Sequence, residues 1–88
     1  MITGGQLRAA RGLLNWSVAE LADRTDLAIN TIRRAEATND VPSITVKNMQ
    51  LLRATFEEAG VEFIDAAEKG PGVRFGSPDP APRQPRRR

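Results

Sequence analysis

The sequence predicts a mainly α-helical domain of four to five helices, followed by a C-terminal β-hairpin and a disordered tail. Three observations predict it. Apolar residues recur at helical spacing from Leu7 to Phe56, in segments opened by side-chain caps. Gly60 stands directly after the last periodic residue, where a helix ends readily. Beyond it the apolar period changes to alternation in Val61–Ile64 and again in Gly72–Phe75.

Thr3 with Gln6 forms a capping box, which places a first helix over Gly4–Leu14. Its apolar stripe is Leu7, Ala10 and Leu14, with Arg8 and Arg11 on the other side. Asn15 breaks this helix, and Trp16 stands where a hydrophobic staple would pack against Leu21. Ser17 with Glu20 is a second capping box and opens a helix carrying Leu21 and Ala22. Thr25-Asp26-Leu27 then makes a tight turn, with Asp26 at a position that favours a left-handed backbone. The next helix starts at about Ala28 and turns Ile32 and Ala35 inward. Its outer face holds Ile29, Asn30, Thr31, Arg33 and Arg34, and no acid. Hydrogen-bond donors and small apolar groups on one helix face suit base edges, phosphates and thymine methyls in a major groove.

Residues 37–43 read as a loop ended by Pro42, pinned to the core by Val41 and Ile44. Thr38, Asn39 and Ser43 either donate to DNA phosphates or are solvated loop residues. A helix from about Ile44 to Ala59 follows, with Leu52 and Phe56 as central core and Met49 as packing or interface. Lys47, near its start, is within reach of a DNA backbone. Residues 61–75 make an antiparallel hairpin with a loop of about seven residues. An isolated hairpin is marginal in water, so it must pack on the helices or pair with another chain. This segment is the expected dimerisation element.

The 88 residues suffice for one small domain and include no Cys, His or Tyr. The commonest general base, zinc ligand and nucleophile pairs are thereby missing, and no enzyme activity, metal or cofactor is expected. No apolar run is long enough to span a bilayer and no signal-peptide pattern opens the chain, so a cytoplasmic protein is expected. The net charge of +2 is unevenly placed. Residues 1–75 carry nine basic and ten acidic side chains, whereas residues 76–88 carry four Arg and one Asp. The basic character is a property of the Pro- and Arg-rich tail, which has no large apolar residue to offset its ordering entropy. That tail is either a phosphate-binding arm or a solubilising segment. The expected organisation is a DNA-binding domain over 1–60, the hairpin over 61–75 and the tail over 76–88.

Glu20-Leu21-Ala22, the turn ending in Leu27, the pair Thr31-Ile32 and Glu36 closing the second motif helix resemble the Xre/Cro-type helix-turn-helix family of phage and bacterial repressors. The resemblance covers residues 6–64, and Glu58–Ile64 resembles the ending of a short bacterial subgroup. The chain departs from the family at Val18, Asp26 and Ala28, where Gln, Gly and a polar cap are usual. The resemblance implies a repressor-like fold that docks the helix after the turn in the major groove. It implies base contacts by Ile29, Asn30, Thr31 and Arg34 and phosphate contacts by Ser17, Arg33, Thr38, Asn39, Ser43 and Lys47. It also implies an ion pair of Arg11 with Glu36 that fixes the angle between two helices. The expected function is that of a homodimeric, sequence-specific repressor of an operator in double-stranded DNA. The rival expectation is a protein-interaction module of the same fold, an antitoxin or antiactivator whose partner is a toxin or another regulator. Val18, the apolar Ile29 and the acidic stretch Glu57–Glu68 favour the rival.

Overall fold

In a computed structural model the chain is described over residues 2–65 and 70–76. Four helices precede a two-stranded antiparallel sheet: α1 (Gly4–Leu14), α2 (Val18–Thr25), α3 (Ile29–Glu36), α4 (Val46–Glu58), β1 (Val61–Ile64) and β2 (Gly72–Phe75). Residues 66–69 of the expected hairpin loop at 65–71, and residues 77–88 of the expected tail at 76–88, lie outside the described residues. Among the described residues, no helix is long and apolar enough to cross a membrane.

Local chemistry sets the helix ends. Thr3 and Gln6 form both halves of the capping box on α1, and Asn15 closes that helix in the left-handed region at φ 61°. Ser17 caps α2 by accepting from the Glu20 N–H at 3.0 Å. The reciprocal half expected of Glu20 is not made. Its carboxylate accepts instead from Arg24 Nε, one turn on, at 2.8 Å. A charged i,i+4 partner outcompetes a backbone N–H that water can satisfy. Asp26 takes the left-handed conformation, φ 61°, that the turn requires. Ala28 precedes α3 without any side-chain cap. α4 begins two residues later than the expected Ile44, because Thr45 caps it by accepting from the Asn48 N–H at 3.1 Å. Gly60, at φ 101°, turns the chain out of α4 into β1.

The core takes Leu7 and Ala10 from α1, Leu21 from α2, Ile32 and Ala35 from α3, Met49, Leu52 and Phe56 from α4, and Val61 and Phe63 from β1. Ile2, ahead of the first helix, is also buried. Phe56 is fully enclosed, a burial that contributes roughly 2–3 kcal/mol. Phe63 meets its ring edge-on, and Trp16 stacks on it with centroids 5.6 Å apart. Trp16 thus packs against the core that also holds Leu21, and its ring partner is Phe56. The Arg24 guanidinium covers the Trp16 ring at 4.1 Å. Val41 does not pin the loop: it is exposed, and the neighbouring Pro42 is buried in its place. Pro exposes no unpaired N–H when buried, which makes it the less costly of the two to enclose. Ile44 does pack against the core.

The hairpin packs on the helices. Val61 and Phe63 point inward and Glu62 outward, as the alternation implies. α1 lies against β2 and α4 against β1. Gln6, 3 % exposed, fastens the sheet to α1: its Nε2 donates to the Ile64 carbonyl at 3.0 Å and the Gly72 carbonyl at 2.9 Å.

Candidate nucleic-acid interface

α3 is held from behind and open in front. Ile32 and Ala35 are buried, and Glu36 is 6 % exposed. With about 3.6 residues per turn, Asn30 stands opposite that buried side, flanked by Arg34 on one edge and Arg33 on the other. Asn30, Arg33 and Arg34 are exposed, Ile29 is 41 % exposed and Thr31 is half-buried. Among the described residues, no hydrogen bond or ion pair engages the side chains of Asn30, Thr31, Arg33 or Arg34. Donors and cations that carry no internal partner are available to an external one.

Two arginines of α1 converge on the C-terminal end of α3. Arg11 makes a two-bonded fork to Glu36, Nε to Oε2 at 2.9 Å and Nη2 to Oε1 at 2.8 Å. Its Nη1 also donates to the Trp16 carbonyl at 3.0 Å, which ties the α1–α2 link to the same point. These hydrogen bonds to Glu36 raise the Arg11 pKa above its ordinary value, against the lowering effect of partial burial. Arg8 donates to the Glu36 carbonyl and to Asn39 Oδ1. Cations at a helix C-terminus also complement its dipole. The Gly4 N–H donates to the Asp40 carbonyl at 3.0 Å, so the start of α1 grips the loop after α3.

The expected base and phosphate contacts are not all alike in their surroundings. Thr31, Arg34 and Ser43 are brought together around an open groove of about 400 Å³, whose other walls are Ile44, Thr45 and Asn48. Ile29, Asn30 and Arg33 lie outside that groove, on the ridge of α3. Lys47 is exposed on the first turn of α4 but does not line the groove. Ser17 is exposed at the start of α2, with its Oγ occupied as the cap. Asn39 is exposed but its side-chain oxygen is bonded by Arg8, leaving the amide nitrogen to donate. Thr38 is half-buried and its Oγ1 accepts from the Asp40 N–H at 3.0 Å. The loop therefore spends part of its polar chemistry on holding its own shape.

Thr45 and Asn48 were not expected at this surface. Thr is a common N-cap residue, and Thr45 starts α4 by accepting from the Asn48 backbone N–H. Among the described residues, no group of three or more His, Cys, Asp or Glu side chains is placed to hold a metal ion. Comparison with protein-family models and with curated proteins returns no match to this chain.

Proposed function

We propose that the chain is a sequence-specific, double-stranded-DNA-binding transcription regulator, a dimeric repressor of its own or its operon's promoter that reads the major groove with α3. The observation that carries this reading is the unpartnered face of α3. A short helix presents Asn30, Arg33 and Arg34 outward without an acid among them, while Arg8 and Arg11 anchor its far end. The resemblance to Xre/Cro-type repressors over residues 6–64 supports the same reading.

In this reading Asn30 pairs with an adenine edge and Arg34 with guanine O6 and N7. Ile29 and Thr31 give methyl contact to thymine, and Arg33 takes a phosphate. Ser43 and Lys47 lie on the phosphate side, and the start of α2 at Ser17 offers free N–H groups to another phosphate. Each good base contact contributes roughly 1–3 kcal/mol of discrimination, so one copy reads too few bases to repress specifically. Two copies on a two-fold operator double the number, with half-sites about one helical turn apart.

The testing experiment is a gel shift against the chain's own upstream DNA in rising salt. Tight, salt-resistant retention of that DNA over random DNA is expected. Equal retention of both would end the repressor reading. It would favour instead a protein-interaction module, for which the half-exposed Ile29 on the α3 ridge is the supporting observation.

A further inference from the structure

The hairpin leaves one edge open. The Gly76 N–H donates to the Gly60 carbonyl at 2.7 Å. The register pairs Val61 with Phe75, Glu62 with Arg74, Phe63 with Val73 and Ile64 with Gly72. Bonded and non-bonded pairs alternate along an antiparallel ladder. The bonded pairs are therefore Glu62/Arg74 and Ile64/Gly72. The backbone groups of Val61, Phe63, Val73 and Phe75 point away from the sister strand. On β1 that outer edge is shut in, since Val61 is 2 % and Phe63 7 % exposed. On β2 it is open: Phe75 is 47 % exposed, and no described group bonds to the outward N–H or C=O of Val73 or Phe75. An open edge beside an exposed aromatic is a template for another strand.

We infer that β2 pairs antiparallel with β2 of a second copy of this chain, centred on Val73, to make a four-stranded sheet across a two-fold axis. Side-chain chemistry selects both the occupant and the register. Centring on Arg74 would set two guanidinium groups directly opposite each other, which is unfavourable. Centring on Val73 sets Val73 against its own copy, Arg74 against Gly72 and Phe75 against Pro71. The inward row then runs without a polar break through Phe63, Val73, Val73 and Phe63. On the outward row each Arg74 keeps its 2.8 Å ion pair with Glu62, and its own copy lies diagonally across the seam and not directly opposite. The two Val73 residues exchange both backbone bonds, and each Phe75 N–H reaches a Pro71 carbonyl. Pro71, which has no N–H, is thus asked only to accept.

This pairing rests on the proposed function only for its use, which is to present two α3 helices to one operator. Its test contains no DNA, so either can fail while the other stands. Sedimentation equilibrium of the full chain over a range of concentrations is expected to give a monomer–dimer equilibrium. Val73→Pro removes a donor that the monomer does not use, at an edge position where a strand accepts proline. It is expected to raise the dissociation constant by about tenfold or more. Phe75→Lys, at an exposed site, is expected to act the same way and decides the matter if circular dichroism shows Val73→Pro unfolded. Amide exchange at Val73 and Phe75 should slow as wild-type concentration rises. A wild-type monomer at every concentration, a dimer indifferent to the informative variant, or exchange at both amides independent of concentration would overturn the inference. Binding of a foreign extended peptide at this edge by a monomer would overturn it too.

Discussion

Arg11 and Glu36 face each other in a two-bonded fork, at 2.9 and 2.8 Å, with side chains 23 % and 7 % exposed. A pair so enclosed sets the angle at which α3 leaves α1. Removing one partner leaves the other charge without its bonds in a partly dry site. Arg11→Ala is expected to lower stability by about 2–3 kcal/mol in urea unfolding. Arg11→Lys, which keeps the charge and loses the fork, should recover less than half of that. Full recovery by lysine would mean that charge alone, and no planar geometry, is at work. The raised Arg11 pKa sets the sign of the pH dependence. A base whose folded pKa lies above its unfolded value contributes stability that is complete below the unfolded pKa, which for an arginine lies far above neutrality. The contribution is lost only as pH rises through the folded value, so mild alkali should leave the arginine side of this pair intact.

Gly4 lies directly against the backbone at the end of α3. A Cβ there would fall 2.1 Å from the Thr38 carbonyl oxygen and 2.4 Å from that of Ala35. Both obstacles are backbone, so α1 and the end of α3 would have to separate. Gly4→Ala normally favours a helix, by up to about 1 kcal/mol. Here it is expected to destabilise by about 1–3 kcal/mol, the usual cost of forced overpacking. A thermal melt that rises in the alanine variant would show that α1 and the 35–38 segment are not in contact.

The two preceding sites differ in how far the sequence reveals them. The Arg11–Glu36 pair came from a resemblance, and the closeness of Gly4 to residue 38 came from nowhere in the sequence. Signals that act over a few residues were legible: the Thr3–Gln6 box, the left-handed Asp26, the turn at Gly60, the alternation of Val61–Ile64. Competition between local partners was not. Glu20 had two partners in reach, the backbone at Ser17 and Arg24 a turn later, and spacing alone does not rank them. Val41 and Pro42 are adjacent, and which is buried depends on how the loop meets α1. The outward residues of α3 were legible because Ile32 and Ala35 fix its inner side. The groove that Thr31 and Arg34 share with Thr45 and Asn48 was not, because it is made by two elements about fifteen residues apart.

Gln6 does two jobs with one amide. Its Oε1 accepts from the Thr3 N–H at 2.9 Å, and its Nε2 donates to the carbonyls of Ile64 and Gly72. Gln6→Glu keeps the helix cap, since a carboxylate still accepts. It also turns an oxygen toward two carbonyl oxygens in a buried place, and repulsion replaces two bonds. A loss of about 2–3 kcal/mol is expected at neutral pH, with amide protection in β1 and β2 falling before that of α1. Uniform loss of protection along the whole chain would instead place the hairpin and helices in a single unfolding unit.

The ridge and the groove edge of α3 make different predictions for its two arginines. Arg34 shares a helix face with Asn30 and also borders the groove with Thr31 and Ser43, whereas Arg33 lies on the opposite flank. If Arg34 reads a guanine, Arg34→Ala should weaken operator binding by about 1–3 kcal/mol and leave binding to random DNA nearly unchanged. Arg33→Ala should weaken both alike and lower the slope of log affinity against log salt by about one per site. Fluorescence anisotropy on both DNAs at several salt concentrations measures all four quantities. Equal losses on operator and random DNA for Arg34→Ala would reassign it to the phosphate backbone. Direct base readout in the proposed interface would then fall to Asn30 with the methyl contacts of Ile29 and Thr31.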